Sequence, residues 1–398
     1  MRTGWQIGSV FGIPLLIDSS WFFILALVTF FYGSSLQGGE LSPTATWIVG
    51  FVMALLLFGS VLLHELGHSL VARSQGIIVN SITLFLFGGI ASIDQESKTP
   101  GQAFQVAIAG PSVSFTIFLF LTLMGQFAPI SEPFAAVISD LAGINLVLAL
   151  FNMIPGLPLD GGQVLKAAVW KITGSRNKGV RWSARTGQAL GWAAVIFGIT
   201  AYLSYRRLDL LWLALLGWFG VRNARAYSRV VDLQEALVSL TAVTVMTREF
   251  RVADADMTIR QFADKYLHEE SNLIVYYAAS DGRYRGIVSI EELHLIDRSQ
   301  WDQSLYRVVH PLTEIPTVQE TTPLTQVIDV LESQSLGRVT VLSPAGSVAG
   351  VIDRGDVVRA VAERLNVPIS EAVIRQIKEE GAYPPGLQLQ AIAKAAAE

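Results

Sequence analysis

Between Trp47 and Leu63 the chain runs for 17 residues without a charge and then ends in His64-Glu65-Leu66-Gly67-His68. A run of about 20 apolar residues is long enough to cross lipid as a helix. Inside hydrocarbon every backbone polar group must find its partner within the protein, so a spanning segment is helical or belongs to a closed barrel. Other runs repeat the pattern: Trp21 to Tyr32 with its flanks, Phe104 to Ala128, and Ala135 to Ile154 with Asp140 near its start. Leu190 to Leu203 and Leu210 to Val221 are shorter. About six transmembrane helices are therefore expected before residue 227. Of the whole chain 51% is hydrophobic and 16% charged, and the excess sits in this first part. The rest reads as an ordinary soluble domain, so the chain is written for two media.

Basic residues in short loops mark the cytoplasmic side. Arg2 precedes the first run, Arg73 and Lys98 follow the second, and Lys166, Lys171, Arg176, Lys178, Arg181 and Arg185 follow the fourth. Arg222, Arg225 and Arg229 follow the sixth, whereas the loops near 33–44 and 129–134 contain no Lys or Arg. Only Arg206 and Arg207 run against this bias, which places both termini in the cytoplasm. The N-terminal apolar stretch is interrupted by Asp18, Ser19 and Ser20 and has no small-residue cleavage site after it. It is expected to stay as an anchor. A net charge of −4 gives no reason to expect nucleic acid, and the absence of Cys removes disulfides and thiolate ligands.

Beyond Ser228 short β-branched runs alternate with amphipathic stretches. Arg285-Gly286-Ile287-Val288-Ser289 before Glu291-Glu292-Leu293 resembles Ala349-Gly350-Val351-Ile352-Asp353 before Gly355-Asp356-Val357, at an offset of 64 residues. Strands at Leu273–Tyr277 and Arg338–Leu342 precede these, and helices at Thr258–Leu267 and Pro323–Ser333 precede the strands. Two copies of a β-α-β-β-α unit, about 236–300 and 301–365, account for the pattern. The tail 366–398 is helix-prone, is interrupted at Pro384-Pro385, and has no legible role.

Histidines four apart share a helix face, so His64 and His68 can reach one metal ion. Neutral imidazole suits zinc, and Glu65 between them can take a proton from water at the metal. Three ionisable residues at the end of an apolar helix cost on the order of several kcal/mol unless they are paired or metal-bound. A catalytic zinc takes a third protein ligand. His268, His294 and His310 lie in the soluble half, which leaves Asp160 as the best candidate. It follows Asn152-Met153-Ile154-Pro155-Gly156-Leu157-Pro158-Leu159, where two prolines forbid a regular helix. Irregular backbone at membrane depth is tolerated when it is buried in protein or lines a wet cavity. The stretch Ile82–Ile93 reads as a buried hairpin, and an edge strand there can pair with an extended substrate.

These motifs together, His64 to His68, Phe87-Gly88-Gly89-Ile90-Ala91, and Asn152 through Asp160-Gly161-Gly162, resemble the site-2 proteases (peptidase family M50) over roughly residues 55–170. The resemblance implies one zinc per chain on His64, His68 and Asp160, Glu65 as general base, and Asn152 near the active site helping to position substrate. It also implies a membrane-inserted β-element and single-span membrane proteins as substrates of regulated intramembrane proteolysis. Gly110-Pro111-Ser112-Val113-Ser114 departs from the family pattern, where many members have Asn at the last position.

Residues 236–365 resemble a tandem pair of CBS (cystathionine-β-synthase-type) domains. Such pairs often bind adenine nucleotides, with Ser or Thr three residues before an Asp that contacts ribose. Here the corresponding pairs are Ser289 with Glu292 and Asp353 with Asp356, each departing at one position. A structural dimerisation module is the other reading of this pair. The expected architecture is a polytopic α-helical membrane protease domain, residues 1–227, followed by an α/β tandem CBS module. A CBS-gated transporter or a catalytically inactive relative are the competing readings.

Overall fold

Side chains that face lipid gain nothing by turning inward, so helices in a membrane meet through their small residues. The computed structural model, which describes residues 4–38, 42–86, 88–93, 95–127, 132–266, 275–384, 386–387 and 389–397, has that character in the first of its two compact units. The units are Met1–Ser228 and Arg229–Glu398. Phe87, Ala128, Leu267, His268, Leu273 and Pro385, which entered the readings above, lie outside the described residues.

The first unit runs β1 (Trp5–Val10), β2 (Ile13–Ile17), α1 (Ser19–Ser35), α2 (Pro43–Ser74), β3 (Val79–Phe85), β4 (Gly88–Ile93), α3 (Pro100–Phe127), α4 (Glu132–Asn152), α5 (Asp160–Thr173) and α6 (Arg176–Tyr205). It ends within α7 (Leu211–Ser239). Along α2 the buried positions are mostly small or polar, among them Thr46, Gly50, Ala54, Ser60 and Ala72, while Ile48, Phe51, Leu55 and Leu56 are exposed. That is the inversion expected of a lipid-facing helix. Among the described residues, four helices are long and apolar enough to cross a membrane: Pro43–Ser74, Pro100–Phe127, Phe134–Asn152 and Arg176–Tyr205. These four fall short of the six spans expected from the sequence. Helix α1 is apolar but only 17 residues long. The run at Leu210–Val221 lies almost wholly in α7, whose second half carries Arg222, Arg225, Arg229, Asp232 and Glu235.

The hairpin read at Ile82–Ile93 is β3 and β4, antiparallel, with Ile82 opposite Ala91 and Leu84 opposite Gly89. It is half of a four-stranded sheet in the order β1-β2-β3-β4, in which β2 and β3 are parallel. Before residue 18 the chain forms two paired strands where the sequence alone suggests an apolar anchor. Ile13, Leu15, Ile17, Ile82 and Leu84 form one core with Trp21, Phe58 and Leu66, so the sheet packs on α1 and α2. Strand β4 is an edge of this sheet.

The second unit contains α8 (Ala242–Val245), β5 (Phe250–Asp254), α9 (Ile259–Tyr266), β6 (Val275–Ser280), β7 (Arg283–Val288), α10 (Ile290–Leu295) and β8 (Val309–Pro311). Then come β9 (Thr317–Gln319), α11 (Leu324–Ser333), β10 (Arg338–Leu342), β11 (Val348–Asp353), α12 (Arg354–Arg364), α13 (Glu371–Glu380) and α14 (Leu389–Ala397). The repeated β-α-β-β-α unit is present as β5-α9-β6-β7-α10 and β9-α11-β10-β11-α12. Each copy has a mixed sheet: β5 is parallel and β7 antiparallel to β6, as β9 and β11 are to β10. The two sheets meet where the Tyr277 hydroxyl and the Thr340 hydroxyl bond at 2.7 Å. The tail is two helices, and Ile374, Ile377, Leu389 and Ala393 join the core of the second repeat. Each such Ile or Leu contributes about 1.5–3 kcal/mol over leaving it exposed.

Candidate metal centre

Helix α2 carries both histidines on the face it turns to α3, where His64 is 4% and His68 9% exposed. Asp160 is the first residue of α5, so its carboxylate sits at a helix N-terminus, where negative charge is favoured. The preceding irregular segment is held by backbone bonds, including Leu157 N–H to the Ser183 carbonyl at 3.2 Å. Helix α5 is tied down further along by Lys166, which lies 3.3 Å from Glu96, a residue also bonded by Arg176 at 2.9 Å.

The three expected ligands come together. His64 Nε2 and His68 Nε2 lie 3.1 and 3.3 Å from Asp160 Oδ2 and 3.3 Å from each other. Nitrogen and oxygen ligands at the 2.0–2.1 Å bond lengths of zinc, set at tetrahedral angles, stand about 3.3 Å apart. The triangle has the spacing that three ligands of such an ion would need, and His64, His68 and Asp160 would hold it. Among the described residues this is the one cluster of three His, Asp or Glu side chains able to hold a metal.

Both imidazoles are oriented from behind. His68 Nδ1 donates to the Val106 carbonyl at 2.6 Å, and His64 Nδ1 stands 2.9 Å from Ser114 Oγ. With Nε2 on a metal, Nδ1 of His64 carries the proton and donates to the hydroxyl, an arrangement that fixes tautomer and ring angle. Ser114 is fully buried. The departure noted in the sequence is thus a small hydrogen-bonding side chain against a ligand. Four residues earlier on the same face, Gly110 packs so closely that a Cβ would strike the Nε2 atoms of both histidines. Sequence reading singled out neither residue as part of the site, although Gly110 and Ser114 at i and i+4 were the available signal.

Glu65 projects toward the sheet. A Cβ on Gly89 of β4 would stand 2.5 Å from Glu65 Cγ, so the strand lies directly over this carboxylate. Asn152 ends α4, and its amide donates to the Leu148 carbonyl at 3.0 Å. A further polar pair went unread: Asn145 and Ser60, both buried, bond at 2.9 Å one helical turn before His64.

In the second unit Ser289 caps α10, its hydroxyl accepting from Glu292 N–H at 3.2 Å, and Glu292 pairs with His310 at 3.0 Å. Asp353 and Asp356 close a reciprocal cap on α12 at 3.0 and 3.1 Å. Asp356 is only 2% exposed.

The chain matches the family model for Peptidase family M50 over residues 52–139 and 125–194 and that for the CBS domain over 242–295 and 308–363. A Synechocystis protein provisionally named zinc metalloprotease sll0528 is 42% identical over 367 residues, which are 91% of this chain and 96% of that one. The zinc metalloprotease MJ0392 of Methanocaldococcus jannaschii is 31% identical over 357 residues, 90% of this chain and 96% of that one. Among solved structures, a site-2 protease from Methanocaldococcus jannaschii is 29% identical, covering 56% of this chain and 95% of its own, with a TM-score of 0.42.

Proposed function

The chain belongs to peptidase family M50 and carries a tandem pair of CBS domains, and from that premise we propose that it is a zinc-dependent intramembrane endopeptidase acting on transmembrane protein segments. The observation that carries this reading is the triangle of His64, His68 and Asp160 with edges of 3.1–3.3 Å at the end of an apolar helix. When bound there, zinc supplies a Lewis acid that polarises a carbonyl and brings the pKa of its water to about 7. His64, His68 and Asp160 hold it, and Ser114 and the Val106 carbonyl keep the two rings turned toward it.

Glu65 lies between the two histidines on the same helix. Its carboxylate accepts the proton of the attacking water and passes it to the leaving amine. Neither role makes it a ligand. A helical substrate hides its carbonyls in i→i+4 bonds, so it is attacked only when locally extended. The edge of β4 beside Glu65 offers backbone groups to such a segment, and Asn152 assists in positioning it. Single-span proteins with Gly or Pro in the membrane are the favoured substrates.

Residues 1–227 form the protease domain on this reading, with α1 and α7 completing six spans and both termini in the cytoplasm. Residues 236–365 form the regulatory CBS pair, whose proposed ligand is an adenine nucleotide, and pairing through these domains would give a homodimer. The test is Glu65→Gln. Purified protein should retain about one zinc per chain while membrane-fragment proteomics shows cleavage products lost relative to wild type. Loss of zinc from Glu65→Gln, or unchanged fragments, would remove Glu65 as the base.

A further inference from the structure

The resemblance to CBS pairs nominates Asp353 and Asp356 to receive ribose hydroxyls, but that position is filled from within the chain. Lys378, on the tail helix α13, brings its ammonium 2.8 Å from Asp356 Oδ1, 2.7 Å from Glu249 Oε2 and 3.4 Å from Asp353 Oδ2. An ammonium has three N–H donors, and here each has a carboxylate within reach. Asp356 Oδ2 accepts from the Asp353 N–H at 3.1 Å and from the Thr247 hydroxyl at 3.4 Å. Arg359 stands 3.6 Å from Oδ1. Asp356 Oδ1 has no hydrogen-bond donor, but the Lys378 ammonium covers it at 2.8 Å and the carboxylate is buried, so a vicinal diol finds no open acceptor there.

The occupant is firmly seated. The side chain of Lys378 is 5% exposed. Its helix buries Ile374 and Ile377, and the chain beyond it buries Leu389 and Ala393, all in the core of the second repeat. The ring of Tyr383 lies 5.7 Å from the Arg354 guanidinium at the start of α12. The first repeat is different. Its Glu292 carboxylate is 47% exposed and pairs with a comparably open His310.

We propose that Lys378 is a built-in occupant that shuts the second half-site of the CBS pair to adenine nucleotides. This rests on the reading that the pair is of the nucleotide-binding kind, so any nucleotide is left to the first repeat. The tail, whose sequence suggested no role, becomes the stopper.

The test is equilibrium dialysis of ATP and of AMP at millimolar concentration against the full chain in detergent. Lys378→Met should bind one nucleotide per chain more than wild type, and adding Asp356→Asn should abolish that gain. No gain in Lys378→Met, or wild-type binding that is lost in Asp356→Asn, overturns the proposal. A wild type that binds none beside a Lys378→Met that binds one upholds the stopper and sinks nucleotide binding at the first repeat. Should Lys378→Met not fold, amine labelling of wild type followed by mass spectrometry decides. Lys378 should stay unlabelled with and without ATP, and labelling in either condition overturns the proposal.

Discussion

Ser114 shows how much of a metal centre lies one bond behind its ligands. Its hydroxyl faces His64 Nδ1 at 2.9 Å in a place closed to water. Removing it leaves a buried N–H without a partner, a loss of about 1–3 kcal/mol. Ser114→Ala should therefore weaken zinc binding about 10- to 100-fold in a competition titration with a chelator. Ser114→Asn, which keeps a polar side chain there, should recover most of it. Equal affinity in Ser114→Ala and wild type would show that His64 needs no support from α3. The three ligands leave less room for compensation. His64→Ala, His68→Ala and Asp160→Ala should each strip the metal, measured as zinc per chain, because two donors do not hold a catalytic ion.

At the level of elements, the site is an intersection of α2, α3, α5 and β4, and the last of these is the most exposed to test. Gly89 is where the edge strand passes Glu65, with no space for a side chain. Gly89→Val should push the carboxylate aside or lift the strand, while the triangle of ligands, which β4 does not touch through that residue, stays intact. The expected result is full zinc content with cleavage lowered at least tenfold. Zinc loss in parallel with activity would mean that β4 supports the metal site instead of the base and substrate. The tail helices belong to this scale too. A charged ten-residue helix has no evident place until Ile374, Ile377 and Lys378 are seen facing one repeat.

Across the whole molecule the loop charges predict which end of the first unit faces the cytoplasm. Because the chain lacks Cys, single cysteines report cleanly: Ser35→Cys should be labelled from outside intact cells by an impermeant thiol reagent, and Ser175→Cys should not. The opposite pattern would move the ligands and the CBS pair to the other side. The change from an apolar first part to a more polar second was legible because it is written into composition along the chain. So was the candidate triad, since a helix of known period makes His64 and His68 neighbours, and Asp160 follows a segment whose prolines forbid a regular helix. The repeat was legible from its own recurrence. What the sequence left open depends on contacts between segments distant along it. Residues 5–10 and 13–17 pair as a hairpin, and that hairpin joins a larger sheet only because β2 finds β3, about 67 residues on. Ser114 matters only because α3 crosses α2 at His64, and Asp356 is closed to ligands only because α13 folds back over it. Local periodicity carries no term for such encounters, and tertiary packing alone decided them.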